Sequence, residues 1–134
     1  MLVVDISGLN KSFTRDKRAL SDVKLQVREG EMVALMGPSG CGKSTLLNII
    51  GGLLAGDGGS ITLNKRKYGL KGPSSVVDVR RELVGWIFQD FHLLDNLSAV
   101  DNVAMALELS GMNSEEAEIA ARNSLERVGL GERM

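Results

Sequence analysis

Residues 37–44 read GPSGCGKS, with the apolar run MVALM (Met32 to Met36) directly before them and leucines and isoleucines at helical spacing directly after. The octet satisfies G-x-x-x-x-G-K-[ST], the phosphate-binding P-loop or Walker A pattern, in the strand, loop, helix context that the pattern needs. This restricts the chain to α/β architectures in which a phosphate-sized loop joins a buried strand to a helix N-terminus. Glycines at 37, 40 and 42 carry no side chain to hold the backbone away, so consecutive N–H groups can turn inward around an anion. The helix N-terminus adds partial positive charge. The pattern sets Lys43 as a point charge on the β and γ phosphates, Ser44 as a hydroxyl ligand of Mg²⁺ and Thr45 as a further donor in the first turn. Pro38, Ser39 and Cys41 complete the loop. Cys41 occupies a variable position and reads either as a small tolerated residue or as a thiol beside Lys43 whose alkylation bound nucleotide would slow.

Composition removes several competing chemistries. Lys and Arg number 16 and Asp and Glu 17, a net charge of −1, so no domain-wide basic field is available for nucleic acid or anionic lipid, and no nucleic-acid partner is expected. One cysteine and one histidine exclude an internal disulfide framework and leave little for mixed metal ligation. The start, MLVVDISG, lacks a basic region before its apolar residues and does not read as a secretory signal, so a cytoplasmic location is expected. The longest apolar stretch, Leu46 to Gly56, contains Asn48 and three glycines and falls far short of the ~20 residues of a membrane-spanning helix.

Along the chain, Leu2 to Ile6, the alternating Val23, Leu25 and Val27, and Met32 to Met36 read as three strands. The third is apolar on both faces, as expected of a central strand in a covered parallel sheet. Leucines and isoleucines at 46, 47, 50, 53 and 54 give a helix from Lys43 to about Leu54, weakened by Gly51 and Gly52. SITL (60–63) is a short strand, residues 64–75 a polar surface excursion, DVRREL (78–83) a short helix, and VGWIF (84–88) a β-forming run that ends at Gln89. From about Leu97 the pattern turns helical. Ser98 with Asp101, and Asn113 with Glu116, resemble capping boxes before Val100, Val103, Ala104 and Leu107 and before Ala117, Ala120, Ala121, Leu125 and Val128, and Gly129 reads as a C-cap. The organisation expected is a nucleotide-binding core over 1–96 and the start of a helical subdomain over 97–134.

With LNKSF, then GEMVALMGPSGCGKSTLLNIIGGL, then VGWIFQDFHLLDNLSAVDNVAMAL, the chain resembles the ATP-binding subunits of ABC transporters over almost its whole length. The FQxFHLL segment followed by L-S-x-V-x-N-V is most similar to the lipoprotein-releasing and macrolide-exporter group. The resemblance implies an α/β P-loop NTPase of the ABC type, with N-terminal antiparallel strands, a parallel core and the beginning of a helical subdomain. It implies ATP and Mg²⁺ as cofactors, a transmembrane permease as partner, a second nucleotide-binding domain or self-association, and a peripheral position on the inner face of the cell membrane. Phe13 matches the aromatic residue that stacks on adenine, where tyrosine is more usual; a core phenylalanine is the alternative. Gln89 matches the Q-loop glutamine, which reaches Mg²⁺ and the attacking water. Phe91, Leu93 and Leu94 match the stretch facing the permease, with ordinary packing as the alternative, and His92 reads as a surface residue. Asp95 stands where many relatives have proline.

The signature helix start, Walker B aspartate, catalytic glutamate, D-loop and switch histidine of that family are not found in these 134 residues. Leu109, Ser110 and Gly111 spell LSG but are followed by Met112 and Asn113, at the end of a helix. The expectation is therefore nucleotide binding as the N-terminal part of an export ATPase, without turnover by these residues alone. Two alternatives stay open. One is a non-hydrolytic nucleotide-binding or dimerising module. The other is a guanylate-kinase-like nucleotide kinase, which shares the GPSGxGK loop.

Overall fold

The computed structural model describes residues 1–68, 70 and 76–133, arranged as two compact units over 1–85 and 86–134. In the first unit, β1 (Leu2–Thr14) and β2 (Lys17–Arg28) form a long antiparallel hairpin. Both strands run well past the segments expected from apolar patterning, because polar residues on the wet face pair as readily through their backbones as apolar ones do. In β2, Val23, Leu25 and Val27 turn inward while Asp22, Lys24 and Gln26 stay exposed, the period-2 alternation of a half-buried strand. β1 pairs on its other side with β3 (Gly58–Leu63), which pairs in turn with β4 (Arg66–Tyr68), giving a four-stranded antiparallel sheet of order β2-β1-β3-β4.

β4 was not expected. It arises because Asn64 and Lys65 both take positive φ, 44° and 70°, the geometry of a two-residue hairpin turn. The turn delivers Tyr68 into the core, where its hydroxyl donates to the carbonyl of Ile50. Of the surface excursion expected at 64–75, residues 69 and 71–75 lie outside the described residues. Helix α1 (Lys43–Ile50) packs Leu46 and Ile49 on the sheet residues Ile6, Leu9, Leu20 and Ile61, and it stops at Gly51, earlier than Leu54. Helix α2 (Val77–Leu83) follows, with Arg80 donating to the carbonyl of Gly52 at 2.9 Å.

Two expectations need correction. Met32 to Met36 and Val84 to Phe88 form no strand among the described residues. Met32 is 99% and Ile87 98% exposed, where buried parallel strands would hide both. An apolar run records a need for cover, but a ladder also needs a neighbouring strand. β2, β1, β3 and β4 satisfy one another and leave these two runs without partners in the sheet.

The second unit holds α3 (Ala99–Leu109), α4 (Ser114–Arg127) and a single 3₁₀ turn (Gly131–Arg133). Ser98 caps α3 by the full reciprocal box with Asp101, whereas Asn113 makes only the forward bond, accepting from the Glu116 N–H at 2.9 Å. The two helices meet through Val100 and Ala104 against Ala117, Ala121 and Leu125. Val128, expected on this apolar face, lies just past the end of α4 and is exposed.

Candidate nucleotide-binding site

The loop from Gly37 leads straight into α1. Its N-cap, Gly42, is left-handed with φ 97°, carries no side-chain cap, and no acidic residue occupies the first turn. The first-turn N–H groups and the positive end of the helix are thereby left to an outside anion. Gly42 is required for a second reason: a Cβ there would lie 2.5 Å from the Ala19 carbonyl oxygen and 3.0 Å from Leu20 Cδ2, so only glycine lets the loop seat against β2. The side chain of Lys43 folds back over the loop. Its Nζ donates to the carbonyls of Gly37 at 2.7 Å and Pro38 at 2.8 Å and approaches Cys41 Sγ at 3.5 Å.

A cavity of about 670 Å³ opens at this loop. Its walls come from Phe13, Lys17, Arg18 and Ala19 of the β1–β2 hairpin and from Ser39, Gly40, Gly42, Lys43, Ser44 and Thr45. The volume falls within the range of small-ligand sites. Lys17, Arg18 and Lys43 bring three cations to a lining that holds no carboxylate, which suits a polyanion. Phe13 is 54% exposed and stands on the cavity wall, outside the core. Lys17 and Arg18 were not singled out from sequence; adjacent basic residues four and five positions after Phe13 were the available signal.

These residues fit a magnesium nucleotide. The orphan N–H groups and Lys43 suit phosphate, Phe13 offers a ring face to a base, and the exposed Ser44 offers a hydroxyl to a metal ion. No cluster of three or more His, Cys, Asp or Glu able to hold a metal occurs among the described residues. A divalent ion here would therefore take Ser44 Oγ together with phosphate oxygens, the usual habit of Mg²⁺.

Gln89, Phe91, Leu93 and Leu94 belong to the second unit and are all exposed, Phe91 to 87%. The Trp86 and Phe88 rings stack with centroids 5.3 Å apart, and Phe88 meets His92 edge-on at 4.6 Å, so one ring contact joins the residues on either side of Gln89 to Phe91. Asn102 on α3 holds the end of this segment: its Nδ2 donates to the carbonyls of Leu94, Leu97 and Ser98 and its Oδ1 accepts from the Leu94 N–H at 2.9 Å. No helix among the described residues is long and apolar enough to cross a membrane.

Residues 20–134 match the ABC transporter family. The chain is 41% identical over 116 residues to a macrolide export ATP-binding/permease protein, MacB 1/2, of Paracoccus denitrificans, covering 87% of this chain and 17% of that one. It is 38% identical over 135 residues to the lipoprotein-releasing system ATP-binding protein LolD of Pseudoalteromonas translucida, covering 98% of this chain and 58% of that one. Among solved structures it superposes with a TM-score of 0.81 and 34% identity on an ATP-binding cassette in a dimeric post-hydrolysis state bound to ADP and Pi, covering 92% of this chain and 56% of that one. The α/β P-loop class stands on that likeness, although the sheet within the described residues is antiparallel. The match over 20–134, joined to the loop and cavity geometry, makes the chain a member of the ABC transporter ATP-binding family.

Proposed function

We propose that the chain binds Mg-ATP as the N-terminal part of an ABC ATPase serving export, acting with a transmembrane permease on the inner face of the cell membrane and with a second nucleotide-binding domain. The observation that carries this reading is the shared cavity, which joins the aromatic Phe13 to the cationic loop and its uncapped helix. Relatives named for macrolide export and lipoprotein release support the export assignment, and dimeric cassette structures support a paired arrangement. In this reading Lys43 exchanges loop carbonyls for β and γ phosphate oxygens, the first-turn N–H groups of α1 bind phosphate, and Ser44 Oγ ligates magnesium. Bound magnesium supplies charge neutralisation between phosphates. Gln89 orients water and metal, and Phe91, Leu93 and Leu94 are the surface offered to the permease.

Titration calorimetry with Mg-ATP tests the reading. Lys43→Ala is expected to weaken binding by about tenfold to a hundredfold, the ~1.5–3 kcal/mol of a charged hydrogen-bond partner, with an unchanged circular dichroism spectrum. Equal affinities in the two proteins would refute the site. GDP formation from GMP and ATP would move the chain to the nucleotide-kinase reading instead.

A further inference from the structure

The registered pairing of β1 with β3 ends at Asn10 opposite Gly58. Past that pair, Asp57 reaches the side of β1 facing β3. Its N–H donates to the Asn10 carbonyl at 2.9 Å, and its carboxylate accepts from the Ser12 N–H at 2.7 Å and from Lys11 Nζ at 2.8 Å. On the opposite side, β2 pairs irregularly with the same stretch, with register shifts around Lys11, Ser12 and Thr14. The strand end that carries Phe13 is thus paired irregularly by its ladder and gripped in addition by Asp57. Lys11 is part of the same arrangement. Its side chain is only 13% exposed, and its ammonium lies 5.8 Å from the centroid of the Phe13 ring, within cation–π range.

We propose that Lys11 and Asp57 are positioning residues for Phe13: the carboxylate pins the end of β1, and the ammonium it holds docks on the Phe13 ring so that the ring is set for a base before nucleotide arrives. The inference rests on reading the cavity as an adenine nucleotide site. Its physical content is preorganisation, since a ring already held in its bound orientation loses less freedom on binding. The Lys11 ammonium and then the Ser12 N–H keep the Asp57 carboxyl below its usual range, so the carboxylate stays charged wherever ordinary carboxylates do.

The test separates base binding from phosphate binding. Affinities for Mg-ATP and for Mg-tripolyphosphate, which has phosphates and no base, are measured for the native chain and for Asp57→Asn, Lys11→Met, Phe13→Ala and the Phe13→Ala/Asp57→Asn pair. Asp57→Asn and Lys11→Met are expected to weaken Mg-ATP by about three- to tenfold, the scale of one aromatic stacking contact, and to leave tripolyphosphate unchanged. The double variant is expected to bind Mg-ATP no more weakly than Phe13→Ala alone. Lys11→Met keeps the Ser12 bond to Asp57 and serves if Asp57→Asn fails to fold. Equal weakening of both ligands, no weakening of Mg-ATP, or full additivity with Phe13→Ala would overturn the proposal. Unaltered ATP affinity in Phe13→Ala would overturn it while leaving the phosphate loop standing, and absence of ATP binding by the native chain would overturn both readings.

Discussion

Gly40 and Gly42 sit two residues apart in the same loop, both at positive φ, 79° and 97°, and differ in what surrounds them. Nothing lies within 4 Å of a Cβ built on Gly40. Gly40→Ala therefore carries only the left-handed backbone penalty of a residue with a Cβ, about 1–2 kcal/mol. At Gly42 the same penalty applies, and the new Cβ would also sit 2.5 Å from the backbone oxygen of Ala19. Optimal carbon contacts are about 3.5–4.0 Å, so the loop and β2 would have to part by roughly 1 Å. Neither side is a flexible side-chain tip. Forced separation of well-packed elements costs about 1–3 kcal/mol, which puts Gly42→Ala at roughly 2–5 kcal/mol in total. Urea unfolding followed by far-UV circular dichroism reads both variants, and Gly42→Ala is expected to lose at least about 1 kcal/mol more than Gly40→Ala. Equal losses would show that the loop does not seat against β2 as described.

Two further outcomes follow from groups away from the cavity. Burial pushes the Tyr68 hydroxyl from 10.0 up to about 12, so the folded state favours the neutral phenol; the stability it supplies is whole below about pH 10 and is lost as pH rises through about 12. The fall is worth about 2–3 kcal/mol, should appear in urea midpoints compared across that window, and should flatten in Tyr68→Phe. Asn102→Ala removes the bonds to Leu94, Leu97 and Ser98 and is expected to cost about 1–3 kcal/mol with loss of hydrogen-exchange protection at the Leu94 amide. Unchanged protection there would show that Asn102 does not hold the end of this segment.

What was legible in sequence is what short stretches of chain decide for themselves. GPSGCGKS announces a loop and a helix start because glycine, lysine and hydroxyl are needed within eight residues. Ser98 with Asp101 announces a helix because both partners lie within one turn. Met32 to Met36 shows the opposite case. Its apolar character was plain, but whether it forms a strand depends on a neighbour far away in sequence, and within the described sheet there is none. The short β4 escaped notice because Asn64-Lys65 lacks the glycine that usually marks a two-residue hairpin, although a lone asparagine between apolar and basic residues was a usable hint. Asp57, lodged in a glycine-rich turn, gave no sign of gripping β1 from 45 residues away.

Lys43 already has its ammonium dressed by two carbonyl oxygens of its own loop. On the proposed reading, filling the cavity would be an exchange of ligands around a cation, with the loop competing against its own guest. A neutral sugar or alcohol offers Lys43 nothing better than the dipoles it would surrender, whereas a doubly charged oxygen cluster does. If the cavity holds phosphate as proposed, the self-contact would act as an entry threshold on charge density, favouring polyanions over uncharged metabolites of the same size.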